Sequence, residues 1–124
     1  MQYNIIEEKS FLHITISGKP RKNEPVLAKK MLATFLKQKN IRIIIDLENL
    51  SEFNSVSISV LGILNSVRKE VGFLDGDLKI CSLKAKLLNY FQQNRLDKIF
   101  YIFKNKENAE KSVWRHDNGK LQLD

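Results

Sequence analysis

The side chains able to carry chemistry are few. There are two histidines, His13 and His116, and a single cysteine, Cys81. A zinc site draws on closely spaced Cys and His ligands, and no such spacing occurs here. His13 lies on the polar phase of an alternating run and reads as a surface histidine. A catalytic serine or cysteine needs a base beside it, and neither histidine has an evident partner. Cys81 closes a short apolar run, where a buried thiol serves as a small hydrophobe. Asp46, Glu48 and Glu52 are near one another in sequence. Paired carboxylates can exchange protons with a substrate, but no further group joins them. The glycines form no Gly-x-Gly and no Gly-Lys-Ser/Thr, so no phosphate-cradling loop is encoded. The expectation is a protein that is not an enzyme, with no catalytic residue, no metal and no cofactor.

One stretch is out of the ordinary: Phe53-Asn54-Ser55-Val56-Ser57-Ile58-Ser59-Val60-Leu61-Gly62. It leaves a strongly apolar run and enters a helical pattern through an asparagine and three serines. Asn and Ser are good helix caps, which accounts for them structurally. A helix N-terminus also offers free N–H groups to a phosphate. A phosphorylated hydroxyl there would bring about −1.5 to −2 charges to the surface without refolding the domain.

The elements around this stretch follow from periodicity. Tyr3–Glu7 and Phe11–Ser17 are short β-prone runs. In the second, Leu12, Ile14 and Ile16 alternate with His13, Thr15 and Ser17, the period of a half-buried strand. Together they predict a hairpin, broken by Gly18 and Pro20. Asn23-Glu24-Pro25 predicts a helix start, with Ala28, Met31, Leu32 and Phe35 on one stripe. Lys37 and Lys39 suit its C-terminal end. Ile41–Leu47 is nearly all apolar and β-branched, which marks a central strand covered on both faces. A helix begins near Ser55, with Val56, Val60, Ile63, Leu64, Val67 and Val71 on its stripe and Gly72 as its stop. Leu78–Cys81 is a strand, and Ser82 caps a helix carrying Ala85, Leu88 and Phe91. Ile99–Phe103 is a last strand, and Asn105 caps a final helix with Ala109 and Val113.

Strands alternating with helices predict an α/β domain with a mixed central sheet: an opening hairpin, then parallel strands, with about four helices. Residues 1–114 form one domain, and Arg115–Asp124 is a polar tail. The chain has 124 residues, enough for one continuous core. A lone cysteine excludes an intrachain disulfide and suits a cytoplasmic protein. The first residues have no basic segment followed by an apolar run, and no apolar stretch approaches a membrane span. The net charge is +7. Its excess lies in residues 1–40 and 84–124, whereas 41–83 carries more carboxylates than cations. The lysines are scattered and not interleaved with aromatics, which argues for a solvated surface and against a nucleic-acid partner.

The ordered set of Ile45-Asp46-Leu47, Leu50-Ser51-Glu52-Phe53, Asn54-Ser55, Val60-Leu61-Gly62-Ile63-Leu64, Leu78-Lys79-Ile80-Cys81 and Arg95–Phe103 resembles the STAS domain, the fold of bacterial anti-sigma factor antagonists. In that family the turn reads Asp-Ser-Ser/Thr-Gly. Its second hydroxyl is phosphorylated by a partner kinase that is also the anti-sigma factor, and the unphosphorylated antagonist binds that partner. Carried over by position, Asn54 matches the Asp, Ser55 the first Ser, Val56 the phosphorylated hydroxyl and Ser57 the Gly. Valine cannot accept a phosphate, so a retained switch would have moved to Ser57 or Ser55. The resemblance implies a phosphoprotein acting in transcription regulation by partner switching. Its docking surface would comprise Glu52, Phe53, Asn54, Ser55, Val56, Ser57, Ile58 and Leu61, and its partner would be an anti-sigma factor of serine-protein kinase type. The same fold also implies an alternative, an accessory subunit of a membrane transport complex. A basic nucleic-acid-binding domain is the remaining alternative.

Overall fold

The computed structural model describes residues 2–18, 30, 33, 34, 36–50 and 57–115, with the backbone alone for 57–60. The helix expected after Asn23 falls largely outside the described residues, as do the segment 51–56 and the tail beyond Arg115.

The elements run β1 (Gln2–Glu7), β2 (Leu12–Ser17), β3 (Arg42–Asp46), α1 (Ser57–Phe73), β4 (Asp77–Cys81), α2 (Ala85–Gln93), a 3₁₀ turn (Leu96–Lys98), β5 (Tyr101–Phe103) and α3 (Lys106–Lys111). The five strands form one sheet in sequence order. β1 and β2 are antiparallel, with Ile5 opposite Ile14; β2, β3, β4 and β5 are parallel. The α/β architecture and mixed sheet are as the sequence predicts, with three α-helices among the described residues.

Register explains the layering. Ile14, Ile45 and Ile80 lie side by side across β2, β3 and β4. With Ile16, Ile43 and Leu78 they form one face, packed against Ile63, Leu64, Val67 and Val71 of α1 and Leu87 and Phe91 of α2. The Phe91 ring meets Phe100 at 6.0 Å between centroids. The opposite face carries Phe11, Ile44 and Cys81, covered by Ala109 and Trp114. α3 lies over β3, β4 and β5 on that side. Burial on both faces is why Ile43, Ile44 and Ile45 form an unbroken apolar run.

Four local expectations are corrected. Gly72 does not stop α1, which continues to Phe73. The stop is a Schellman closure: Gly76 N–H donates to Val71 O at 2.8 Å and Asp75 N–H to Gly72 O at 3.1 Å, with Asp75 left-handed at φ 54. Gly76 is the glycine that the fold requires, because a Cβ there would run into the carbonyl oxygen of Ile41. Ser82 is not the cap of α2; it is itself left-handed (φ 65), and Lys84 occupies the cap position without a side-chain bond. Ile99 precedes β5 and is exposed, since Leu96–Lys98 turns the chain first. Val113 lies beyond α3 and is also exposed. The Asn105 cap is as expected: its Oδ1 accepts the Asn108 N–H at 2.8 Å.

Candidate partner-docking site

The site is built where β3 hands the chain to α1. β3 is parallel to its neighbours, so its C-terminal end opens at the edge of an α/β sheet where ligand sites of such folds gather. Asp46 is the last residue of β3 and is buried. Its Oδ1 accepts the Glu48 N–H at 3.0 Å, and its Oδ2 accepts from His13 Nε2 at 3.2 Å. His13 is therefore not the surface histidine the alternation suggests; its side chain is 12% exposed. The reason is that the second face of the sheet, although polar along β2, is covered. His13 and Asp46 belong to adjacent strands on that face, paired diagonally through the register Thr15 opposite Asp46. That signal is present in the sequence but becomes readable only once the strand register is known.

The turn after Asp46 is closed by backbone bonds. Leu50 N–H donates to Leu47 O at 3.2 Å, and Gly18 N–H to Asn49 O at 3.2 Å. Gly18, with φ 86, bridges Leu50 from the end of β2. Beside this turn lies a cleft of about 620 Å³ lined by Asp46, Glu48, Ser82, Lys104, Asn105, Lys106, Glu107 and Glu110. Lys106 is held by Glu8 at 3.0 Å, and this hydrogen bond raises its ammonium above the ordinary lysine value. Cys81, the neighbour of Asp46 in register, is fully buried, and burial pushes its thiol up to about 11. Among the described residues no group of three or more His, Cys, Asp or Glu is placed to hold a metal. Among them also, no helix is long and apolar enough to cross a membrane.

Of the docking residues expected from sequence, Glu52, Phe53, Asn54, Ser55 and Val56 lie outside the described residues. Ser57 and Ile58 lie in the described part of the α1 backbone. Leu61 is half-buried and packs against the main core.

Comparison with known proteins decides the family. The STAS domain family matches residues 22–109 of this chain. The chain belongs to the STAS domain family. Solved STAS structures agree in fold. An anti-sigma-factor antagonist (STAS) domain protein from Planctomyces limnophilus superposes with a TM-score of 0.67 at 20% identity, covering 86% of this chain and 93% of its own. A candidate anti-sigma factor antagonist of Thermotoga maritima gives a TM-score of 0.67 at 18% identity in its crystal structure, covering 88% of this chain and 92% of its own. Its NMR structure gives 0.71 at 17% identity, covering 90% and 88%. No curated protein matches.

Proposed function

We propose that this STAS domain is a protein-binding module of the anti-sigma factor antagonist kind, acting in bacterial partner switching in the cytoplasm. It docks through Glu52, Phe53, Asn54, Ser55, Val56, Ser57, Ile58 and Leu61 onto an anti-sigma factor of serine-protein kinase type. The observation that supports this most is the match of the STAS family to residues 22–109, a span that includes the segment carried over as the family's turn. By sequence carry-over, the family's switch position corresponds to Val56, which precedes the described part of α1.

Val56 changes how such a switch operates. A hydrocarbon side chain accepts no phosphate, so modification falls to Ser57 or Ser55, or the antagonist stays constitutively competent to bind. The nearby Glu48 and Glu52 disfavour a phosphate by like-charge repulsion.

The test is affinity capture of the protein from its native cells, with mass spectrometry of partners and of its own phosphopeptides. Recovery of an ATP-binding, kinase-type anti-sigma factor that rebinds when purified supports the proposal. Phosphate on Ser57 or Ser55 marks a displaced switch. Recovery of membrane-transport subunits alone moves the chain to an accessory role in transport, and recovery of nucleic acid alone overturns the docking reading.

A further inference from the structure

A docking loop binds tightly only when its ordering cost is met before the encounter. We infer that His13 is the positioning residue for the turn 47–50, which leads into the proposed docking segment, acting through Asp46. The inference takes its purpose from the docking reading above, but its geometry stands apart from it.

Asp46 is buried, and a carboxylate withdrawn from water needs partners for both oxygens. The Glu48 N–H takes Oδ1, which folds the chain into an Asx-type turn as it leaves β3. That turn depends on the carboxylate being held in one orientation. Oδ2 is held by His13 Nε2, and both side chains are close to sealed, at 12% and 10% exposure. A carboxylate only accepts, so Nε2 carries the proton of this contact. His13 belongs to β2, so the orientation of Asp46 is imposed by the neighbouring strand and not by the loop itself. The same strand grips the far side of the turn, where Gly18 N–H donates to Asn49 O and Gly18 bridges Leu50. β2 therefore fixes the turn 47–50 at two points. A histidine on an otherwise polar strand phase thus acts on the turn from the neighbouring strand.

The test is amide hydrogen exchange of the free full-length protein, read residue by residue by NMR, for wild type, H13L, H13N and H13Q. Leucine fills the space without a donor, asparagine keeps an amide that falls short, and glutamine reaches about as far as Nε2. Protection of the Glu48 amide is expected to fall in H13L and H13N by about tenfold more than protection of core amides such as Ile80, which report global opening. H13Q is expected to restore it. H13N serves as the milder variant should H13L fold poorly. Equal losses at Glu48 and Ile80 would mean a merely structural histidine and would overturn the inference. The second readout is affinity for a purified kinase-type anti-sigma factor. Loss of affinity in H13N with recovery in H13Q supports positioning, and unchanged affinity in H13N overturns it. Failure of the wild type to bind at all counts against the docking reading instead, and the exchange data still judge His13.

Discussion

The Lys79 ammonium lies 3.7 Å from the centroid of the Trp114 ring while donating to the carbonyls of Ala109, at 2.8 Å, and Ser112, at 3.0 Å. Lys79 is 2% exposed, in the middle of β4. Its charge is met by the C-terminal end of α3, where helix carbonyls lack partners, and by the indole face. Trp114 in turn stacks on Phe11 at 5.8 Å and donates its indole N–H to Glu110 O at 3.2 Å. Arg115 continues the same attachment: its backbone N–H reaches Asp77 Oδ2 at 2.8 Å and its guanidinium pairs with Asp75 at 3.1 Å. The last helix is fastened to the sheet by one buried cation and its aromatic cover.

Replacing that cation tests the fastening. Lys79→Met keeps the length of the side chain and removes the ammonium's hydrogen bonds to the Ala109 and Ser112 carbonyls, a loss of about 1–3 kcal/mol. Urea denaturation should show a lower midpoint with an unchanged slope. A midpoint equal to wild type would mean that α3 is held by Ala109 and Trp114 packing alone.

The two glycines at the end of α1 should respond in opposite directions. Gly72 is helical and a Cβ there meets nothing within 4 Å, so Gly72→Ala is expected to stabilise by about 0.5–1 kcal/mol. Gly76→Ala forces a methyl against the backbone of Ile41 and is expected to destabilise by about 2 kcal/mol or more. Thermal melts of the two variants beside wild type read both signs at once.

Cys81 predicts a loss of stability in alkali. Its thiol stands at about 11 in the fold against an ordinary 9.0. Between these values the unfolded chain releases the proton and the folded chain does not, so rising pH favours unfolding. This contribution is fully present below pH 9 and is lost towards pH 11, up to about 3 kcal/mol for a shift of this size. Cys81→Ala should flatten the decline between those limits in pH-dependent denaturation, with the difference between the two proteins isolating the thiol from the lysines. Native Cys81 should also resist iodoacetamide at pH 8, where the thiolate is on the order of one part in a thousand, and react once the chain is unfolded.

Charge placed in the docking surface should weaken binding without disturbing the fold. Ile58→Glu is expected to lower affinity for the kinase-type partner roughly tenfold or more, by calorimetry, with an unchanged far-ultraviolet spectrum. Val56→Ser restores the family's acceptor hydroxyl, and incubation with that partner and ATP should add one phosphate to it, seen as a mass increase absent from the wild-type residue 56.

What could be read in the sequence was whatever a period reports. The hairpin and the helix of Ile63, Leu64, Val67 and Val71 follow from alternation and from the helical stripe, and the isoleucine run at 43–45 announces a strand buried on both sides. The STAS resemblance followed from the order of these pieces. What escaped was set by tertiary register. Nothing in Leu78–Cys81 marks Lys79 as buried, because its partners are carbonyls thirty residues and more away. His13 looked solvent-facing because its strand phase is polar, and only its alignment with Asp46 across β2 and β3 gives it a role. Gly72 resembled a helix stop, whereas Asp75 accepts the left-handed position that glycine usually takes. The segment Asn54-Ser55-Val56, expected from the family resemblance to dock a partner, falls outside the described residues.

The close approach of Gly76 to Ile41 also bears on how evolution can edit this domain. No side chain, however small, fits at that point without moving the backbone of the strand before β3 begins. Lineages that keep this strand spacing are expected to keep glycine at position 76 whatever partner they have come to bind. A glycine that never varies there would record a steric veto, and would say nothing about which proteins still share the same signalling partner.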